Sequence, residues 1–179
     1  MSDLHPLLAF RWSPHAFDPT ARLADADVAC LLEAARWAPS AGNRQPWRFL
    51  LGHRDDETGK RILVNLPAED QRWARHASAL LVGGHADGPG GDAERRAYDL
   101  GQAVAHLTVQ ATALGLYVHQ LTRFDHHGLA ADLDLPADVR PMVVAAVGRL
   151  GDPHALPPDL LTRETALRRR RPLPTLLLA

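Results

Sequence analysis

The side chains best suited to hold an anion lie at the two ends of this chain. Near the start, Arg11 and Ser13 flank Trp12 in RWSPHAF, and near the end Arg168 to Arg171 form a run of four arginines. A guanidinium fork matches the oxygens of a phosphate, and a serine hydroxyl adds a donor. Taken alone, the four arginines read equally well as a solvated basic tail that touches nucleic acid. Between them, APSAGNRQPW (residues 38–47) places a hydroxyl, two amides and a glycine between Pro39 and Pro46. Apart from Arg44 the loop is uncharged, so it can hydrogen-bond a polar ligand. It joins a helical pattern to an apolar run, the kind of junction where loops carry function.

Other chemistry is poorly represented. There is no glycine-rich phosphate loop of either common type, no H-E-x-x-H and no serine in a nucleophile elbow. The ten histidines are scattered, and His126 and His127 are adjacent, so no metal site is expected. The single cysteine, Cys30, excludes an intramolecular disulfide and a thiolate zinc cluster; at an apolar helical position it reads as an inert core thiol. A formal net charge of −1 gives no global electrostatic case for nucleic acid or an anionic membrane. No run approaches the roughly 18 apolar residues that span a bilayer. MSDLHPLLAF has no basic flank and no long apolar core, so no signal peptide is expected and the protein reads as cytoplasmic.

These groups must be positioned by the elements between them. Residues 1–20 read as irregular. A helix begins at Asp25, with Val28, Leu31, Leu32 and Ala35 on one face, and Pro39 ends it. A strand is expected over 47–52, short helices over 55–65 and 71–77, and a buried strand over 79–83. Residues 85–92, rich in glycine, read as a mobile loop. The longest helical pattern covers 92–114; its many small residues let other backbone approach, and Gly115 stops it. Further strands are expected over 116–121 and 142–147, with a short helix over 125–134 between them. Beyond Pro153 the chain reads as irregular. There is no internal repeat, and residues 1–179 read as one domain of the α+β or α/β class. Leu176 to Leu178 would form an unpaired apolar edge, so a dimer with tail exchange is expected.

Arg11-x-Ser13-x-x-x-Phe17 and Ala38-Pro39-Ser40-x-x-Asn43-x-Gln45-Pro46-Trp47, taken in order, resemble the nitroreductase family of flavin-dependent oxidoreductases. Tyr98-Asp99-Leu100-Gly101, Ala113-Leu114-Gly115-Leu116, Gly148 and the basic pair before Pro172-Leu173 continue the resemblance along nearly the whole chain. It implies an α+β fold, with a central, mostly antiparallel sheet flanked by helices. It also implies an intertwined homodimer with FMN at the interface and an exchanged C-terminal arm of about residues 152–179. Carried over by position, Arg11, Ser13 and Arg170 hold the FMN phosphate, with Arg168 near it and Trp12 contributing backbone. Pro39, Ser40 and Asn43 face the flavin held by the other subunit. Gln45 and Trp47 fix the loop and pack the core.

His15 stands where the family usually has arginine or lysine near flavin N1. A cation there stabilises the charge that reduction places on N1; a histidine does so only when protonated, and a neutral histidine donating one hydrogen bond is the other reading. Asp70 takes the place of an asparagine that reads the flavin edge, and a carboxylate cannot donate to O2. Thr122 and Arg123 occupy the segment near flavin N5, where Arg123 would fill the substrate space, bind an acidic substrate or point to solvent. The short 85–92 segment implies an open pocket.

The function implied is transfer of hydride from NAD(P)H through FMN to a small electron-poor acceptor such as a nitroaromatic, quinone or enone. The chemistry is on the flavin, with no committed catalytic side chain and no nucleic-acid or membrane partner. The alternatives are a different flavin reaction, such as reductive dehalogenation or flavin degradation, and an FMN-holding dimer without turnover.

Overall fold

A computed structural model describes residues 4–88 and 92–178. Residues 1–3, 89–91 and 179 lie outside the described residues, and with them the centre of the loop expected over 85–92 and the last residue of the tail. The elements run α1 (Pro6–Phe10), α2 (Asp25–Arg36), β1 (Trp47–His53), α3 (Glu57–Val64), α4 (Ala68–Ala74), β2 (Ala79–Ala86), α5 (Ala93–Ala113), β3 (Tyr117–Leu121), α6 (His126–Asp132), β4 (Val139–Gly148) and α7 (Pro158–Glu164), with single 3₁₀ turns at Ala41–Asn43, Pro153–Ala155 and Leu173–Leu176.

The four strands form one sheet in the order β1-β2-β4-β3, and every pair is antiparallel. Helices cover both faces. On one, Leu31 and Ala35 of α2 and Leu100, Val104 and Leu107 of α5 pack on Trp47, Leu81, Val143 and Ala145. On the other, Ile62, Trp73, Leu129 and Leu160 of α3, α4, α6 and α7 pack on Leu80, Val82, Val144 and Ala146. Strands β2 and β4 are therefore buried on both sides, which is why they read as continuous apolar runs rather than alternating ones.

Local chemistry fixes the ends. Asp56, Asp92 and Asp125 cap α3, α5 and α6, accepting the N–H of Gly59, Arg95 and Gly128 at 2.6, 2.6 and 2.9 Å. Gly115, at φ 68°, ends α5 in the left-handed conformation that glycine adopts freely. Gly52 lets α3 lie directly on β1: a Cβ there would stand 2.3 Å from the backbone nitrogen of Gly59.

Several expectations change. The N-terminal segment contains α1, and the C-terminal arm contains α7, whose Leu160 is buried in its own chain's core. Through Leu160, α7 joins the cluster that covers one face of the sheet. Beyond that, Leu167, Leu173 and Leu176 to Leu178 are exposed, and the tail closes a 3₁₀ turn instead of extending as a strand. Residues 85 and 86 end β2 instead of opening a loop. Cys30 is exposed on the protomer, because it falls on the outward side of α2.

Candidate functional site

The anion-binding candidates from the two ends of the chain come together. Arg168 donates to the carbonyl of Arg11 at 2.6 Å and to that of Ala9 at 3.0 Å. Arg11 in turn reaches the Ser13 hydroxyl at 3.4 Å. Partial burial, and then the like charges of Arg168 and Arg170, hold the Arg11 guanidinium below the usual arginine range. A cavity of about 420 Å³ opens beside this group, lined by Phe10, Trp12, Tyr117, Glu164, Leu167 and Arg168. Trp12 meets Tyr117 of β3 edge to face, with ring centroids 6.3 Å apart.

Behind the arginines lies a ring cluster. The imidazoles of His15 and His119 are 4.7 Å apart between centroids, and Trp73 packs against them at 5.1 and 4.4 Å. His119 Nδ1 lies 2.9 Å from the Pro14 carbonyl, which can only accept, so that nitrogen carries the proton. Burial pushes His119 below the ordinary imidazole value, with the Pro14 carbonyl partly offsetting it. The carboxylate of Glu164, buried on α7, accepts from the backbone of His15 and Ala16 and from the His15 ring. Asp70 accepts the indole N–H of Trp73 at 3.2 Å, so one of its oxygens is already occupied. Thr122 is exposed just past β3. Arg123 is 78% exposed and ion-paired with Glu69 of α4. Glu164 and His119 have no part in the sequence reading. The available signal for Glu164 was a lone acid in the otherwise basic LTRETALRRRR.

The polar loop forms a second cluster. Ser40 Oγ accepts the Gln45 N–H at 3.0 Å, and the Gln45 amide donates to Asn43 Oδ1 at 3.0 Å. These bonds hold Asn43 and Gln45 at φ 55° and 49°, a region costly for side-chain-bearing residues and common where loops meet ligands. Asp99, buried on α5, anchors the loop by accepting the Ala41 N–H at 3.2 Å. Pro39 is exposed, and Trp47 is core. A cavity of about 380 Å³ next to the loop is lined by Ala41, Arg44, Arg48, Arg95, Arg96 and Asp99.

The two clusters sit at diagonally opposite corners of the sheet. The loop enters β1 at Trp47, which pairs with His85 at the far end of β2, whereas Trp12 packs on Tyr117 at the near end of β3, opposite Gly148. Edge strand to edge strand is three spacings, about 14 Å, and the two ends differ by about 20 Å along the strands. A single chain therefore keeps the two clusters apart.

The comparisons with known proteins agree with this architecture. The family model described as "Nitroreductase family" matches residues 8–64. A Mycolicibacterium smegmatis protein named "Uncharacterized 15.4 kDa protein in ask 5'region" is 33% identical over 131 residues, covering 69% of this chain and 88% of its own. The 5,6-dimethylbenzimidazole synthase of Rhodospirillum rubrum is 30% identical over 156 residues, covering 73% of this chain and 74% of its own. A solved structure described as "the oxidoreductase containing FMN" superposes with a TM-score of 0.89 at 33% identity, covering 98% of this chain and 91% of its own. With an all-antiparallel sheet between two helical layers and relatives matched over most of their length, the chain belongs to the nitroreductase family.

Proposed function

We propose that the protein is an FMN-dependent oxidoreductase that takes hydride from NAD(P)H and passes it to a small electron-poor acceptor. The observation that carries this reading is the crowding of Arg11, Arg168 and Arg170, like charges brought together beside a cavity that Arg168 lines. An anion relieves that repulsion, and a phosphate monoester suits the donors present: guanidinium forks and the Ser13 hydroxyl. The residues thus fit the phosphate end of FMN, and His15, four positions on, would stand nearer the flavin. When bound, the flavin supplies the hydride chemistry; the protein binds, orients and supplies charge. The FMN-containing solved relative supports the same cofactor.

The site is shared between two copies of the chain. The diagonal placement of its halves supports this. So does an exposed groove of about 1000 Å³ between α2 and α5, lined by Ala29, Cys30, Ala34, Trp37, Ala105 and Val109. The exposed leucines beyond α7 then cover the partner. In that arrangement Pro39, Ser40 and Asn43 of one chain serve the FMN whose phosphate is held by Arg11, Ser13, Arg168 and Arg170 of the other, while Trp12, Asp70, Thr122 and Arg123 border it. Among the described residues no helix is long and apolar enough to cross a membrane.

The test is to purify the protein, record its visible absorbance and follow NAD(P)H oxidation with menadione and a nitrofuran. A yellow protein with one FMN per chain and acceptor-dependent turnover is expected. A colourless protein that takes up no added FMN rejects the proposal, and stoichiometric FMN with no turnover on any acceptor favours the non-enzymatic binder. The Rhodospirillum rubrum relative, named a 5,6-dimethylbenzimidazole synthase, gives a second reading, formation of 5,6-dimethylbenzimidazole. Mass spectrometry for 5,6-dimethylbenzimidazole after aerobic incubation with FMN and NAD(P)H separates the two.

A further inference from the structure

Glu164 accepts three N–H donors from one short stretch of chain. Its Oε2 takes the His15 backbone N–H at 2.8 Å and lies 3.0 Å from the His15 ring Nδ1, and its Oε1 takes the Ala16 N–H at 3.1 Å. The side chain is 2% exposed, whereas that of His15 is 17% exposed. Burying a carboxylate is costly unless its lone pairs are filled, and here they are filled by the segment that carries Arg11 and Ser13. An ionised carboxylate only accepts, so Nδ1 of His15 carries the proton in their bond and Nε2 is the nitrogen left for another partner. Four residues on from Glu164, Arg168 ties the same segment down again at Arg11 and Ala9. The titratable groups packed around the imidazole besides Glu164 are His119 of β3, in ring contact with it, and Asp70 of α4, which accepts from the Trp73 indole that also packs on it.

We propose that Glu164 is a positioning residue for the flavin site: it fixes the tautomer and orientation of His15 and supplies the counter-charge that lets this histidine stand as a cation toward the bound cofactor. This rests on the FMN reading above. The sign of one measurement separates it from a structural role. Replacing a nearby carboxylate by a neutral group makes the flavin easier to reduce by direct electrostatics alone. If Glu164 acts through His15, Glu164→Gln also removes the partner of the imidazolium and makes the flavin harder to reduce.

The experiment compares wild type, Glu164→Gln, His15→Gln and the double variant, loaded with FMN, by midpoint potential at about pH 6, where an imidazole is substantially protonated. Both single variants are expected to fall below wild type, with the double variant no lower than His15→Gln. FMN affinity of Glu164→Gln is expected to weaken roughly 10-fold or more, as for loss of a charged hydrogen-bond acceptor. A Glu164→Gln potential equal to or above wild type overturns the proposal. A second arm needs no flavin: ¹⁵N spectra of the imidazoles in the full chain. At a pH where the ring is neutral, the Nδ1–H tautomer of His15 in wild type, shifted toward Nε2–H in Glu164→Gln, supports the proposal, and an unchanged tautomer overturns it. This arm decides even if wild type binds no FMN, a result that would reject the functional reading by itself. If Glu164→Gln does not fold, the same spectra on Glu164→Asp decide: a changed His15 tautomer supports the proposal, and a wild-type one overturns it.

Discussion

Arg168 lies 157 residues beyond Arg11 and donates to its carbonyl at 2.6 Å. This bond places one cation on the backbone of another, and Arg170 adds a third charge that Arg11 feels. Such a cluster is under electrostatic tension until an anion enters, so anion binding and stability are linked.

The cofactor-free protein is therefore expected to gain thermal stability on adding inorganic phosphate, beyond the gain from chloride at equal ionic strength. Arg168→Ala should remove most of the difference and weaken FMN binding at least roughly 10-fold, since hydrogen bonds to charged groups contribute about 1.5–3 kcal/mol each. Differential scanning fluorimetry and flavin fluorescence quenching measure the two. Equal stabilisation by both salts would show that the cluster is only a solvated tail.

The contact between α3 and β1 is set by two glycines. A Cβ on Gly52 would stand 2.3 Å from the Gly59 nitrogen, and one on Gly59 would stand 2.0 Å from the His53 carbonyl oxygen. Neither clash is with a flexible side chain, so backbone must move. Gly52→Ala should cost roughly 3 kcal/mol, the upper range for overpacking, read as a lower urea midpoint. An unchanged midpoint would mean that α3 can slide on β1 at no cost.

The parts of this fold that were legible are those whose signal is local. The long pattern in α5 ends at Gly115 because a left-handed residue is needed there, and α2 is bounded by Asp25 and Trp37, just ahead of Pro39. The apolar runs located β2 and β4 but not their ends: Gly84 to Ala86 and Val139 to Pro141 join the sheet through cross-strand pairing, which no local pattern shows. Helix α7 opens on Pro157 as its cap and Pro158 as its first residue, in a segment that reads as irregular, yet it forms because Leu160 and Glu164 find partners far back in the chain. The arginines and the serine at the two ends stood out by residue type, and the fold brings Arg168 onto the backbone of Arg11. Glu164 and His119 did not stand out, because their roles come only from residues about 149 and 105 positions away.

Burial lowers His76, His85 and His119 below the ordinary imidazole value. For each, the unfolded chain binds a proton more readily than the folded one. Their stabilisation is therefore complete above the unfolded value near 6.5 and is lost as pH falls through it toward the lowered folded value. Melting temperature should fall between about pH 7 and pH 5, and His119→Gln should shallow the slope even though it removes the stacking on Trp73. A slope identical to wild type would mean that His119 is protonated equally in both states.

Trp37 is 72% exposed but not loose. Its indole N–H donates to Glu33 at 2.7 Å, and the Arg36 guanidinium lies 5.6 Å from its ring centre. Those two donors hold the Glu33 carboxyl down at about 2. A fixed tryptophan at the lip of an apolar groove has the character of an interface anchor. Trp37→Asp is expected to convert a dimer to monomer in sedimentation at micromolar concentration, with the circular dichroism of the fold retained. A protein that sediments as monomer before any substitution would remove the role assigned to this groove.

The diagonal placement of the two clusters makes a quantitative demand on a shared site. Arg11→Ala damages the phosphate half and Asn43→Asp the loop half, so homodimers of either should hold FMN weakly. In a mixed dimer, one site collects both damaged halves and the other collects both intact ones. Random re-association of equal amounts should then restore FMN binding to about one site in four, because half of the dimers are mixed and each has one good site. The measurement is bound flavin per chain after unfolding and refolding the two variants together, against each refolded alone. If both halves of the site belonged to one protomer, every chain would carry one defect, and mixing would restore nothing.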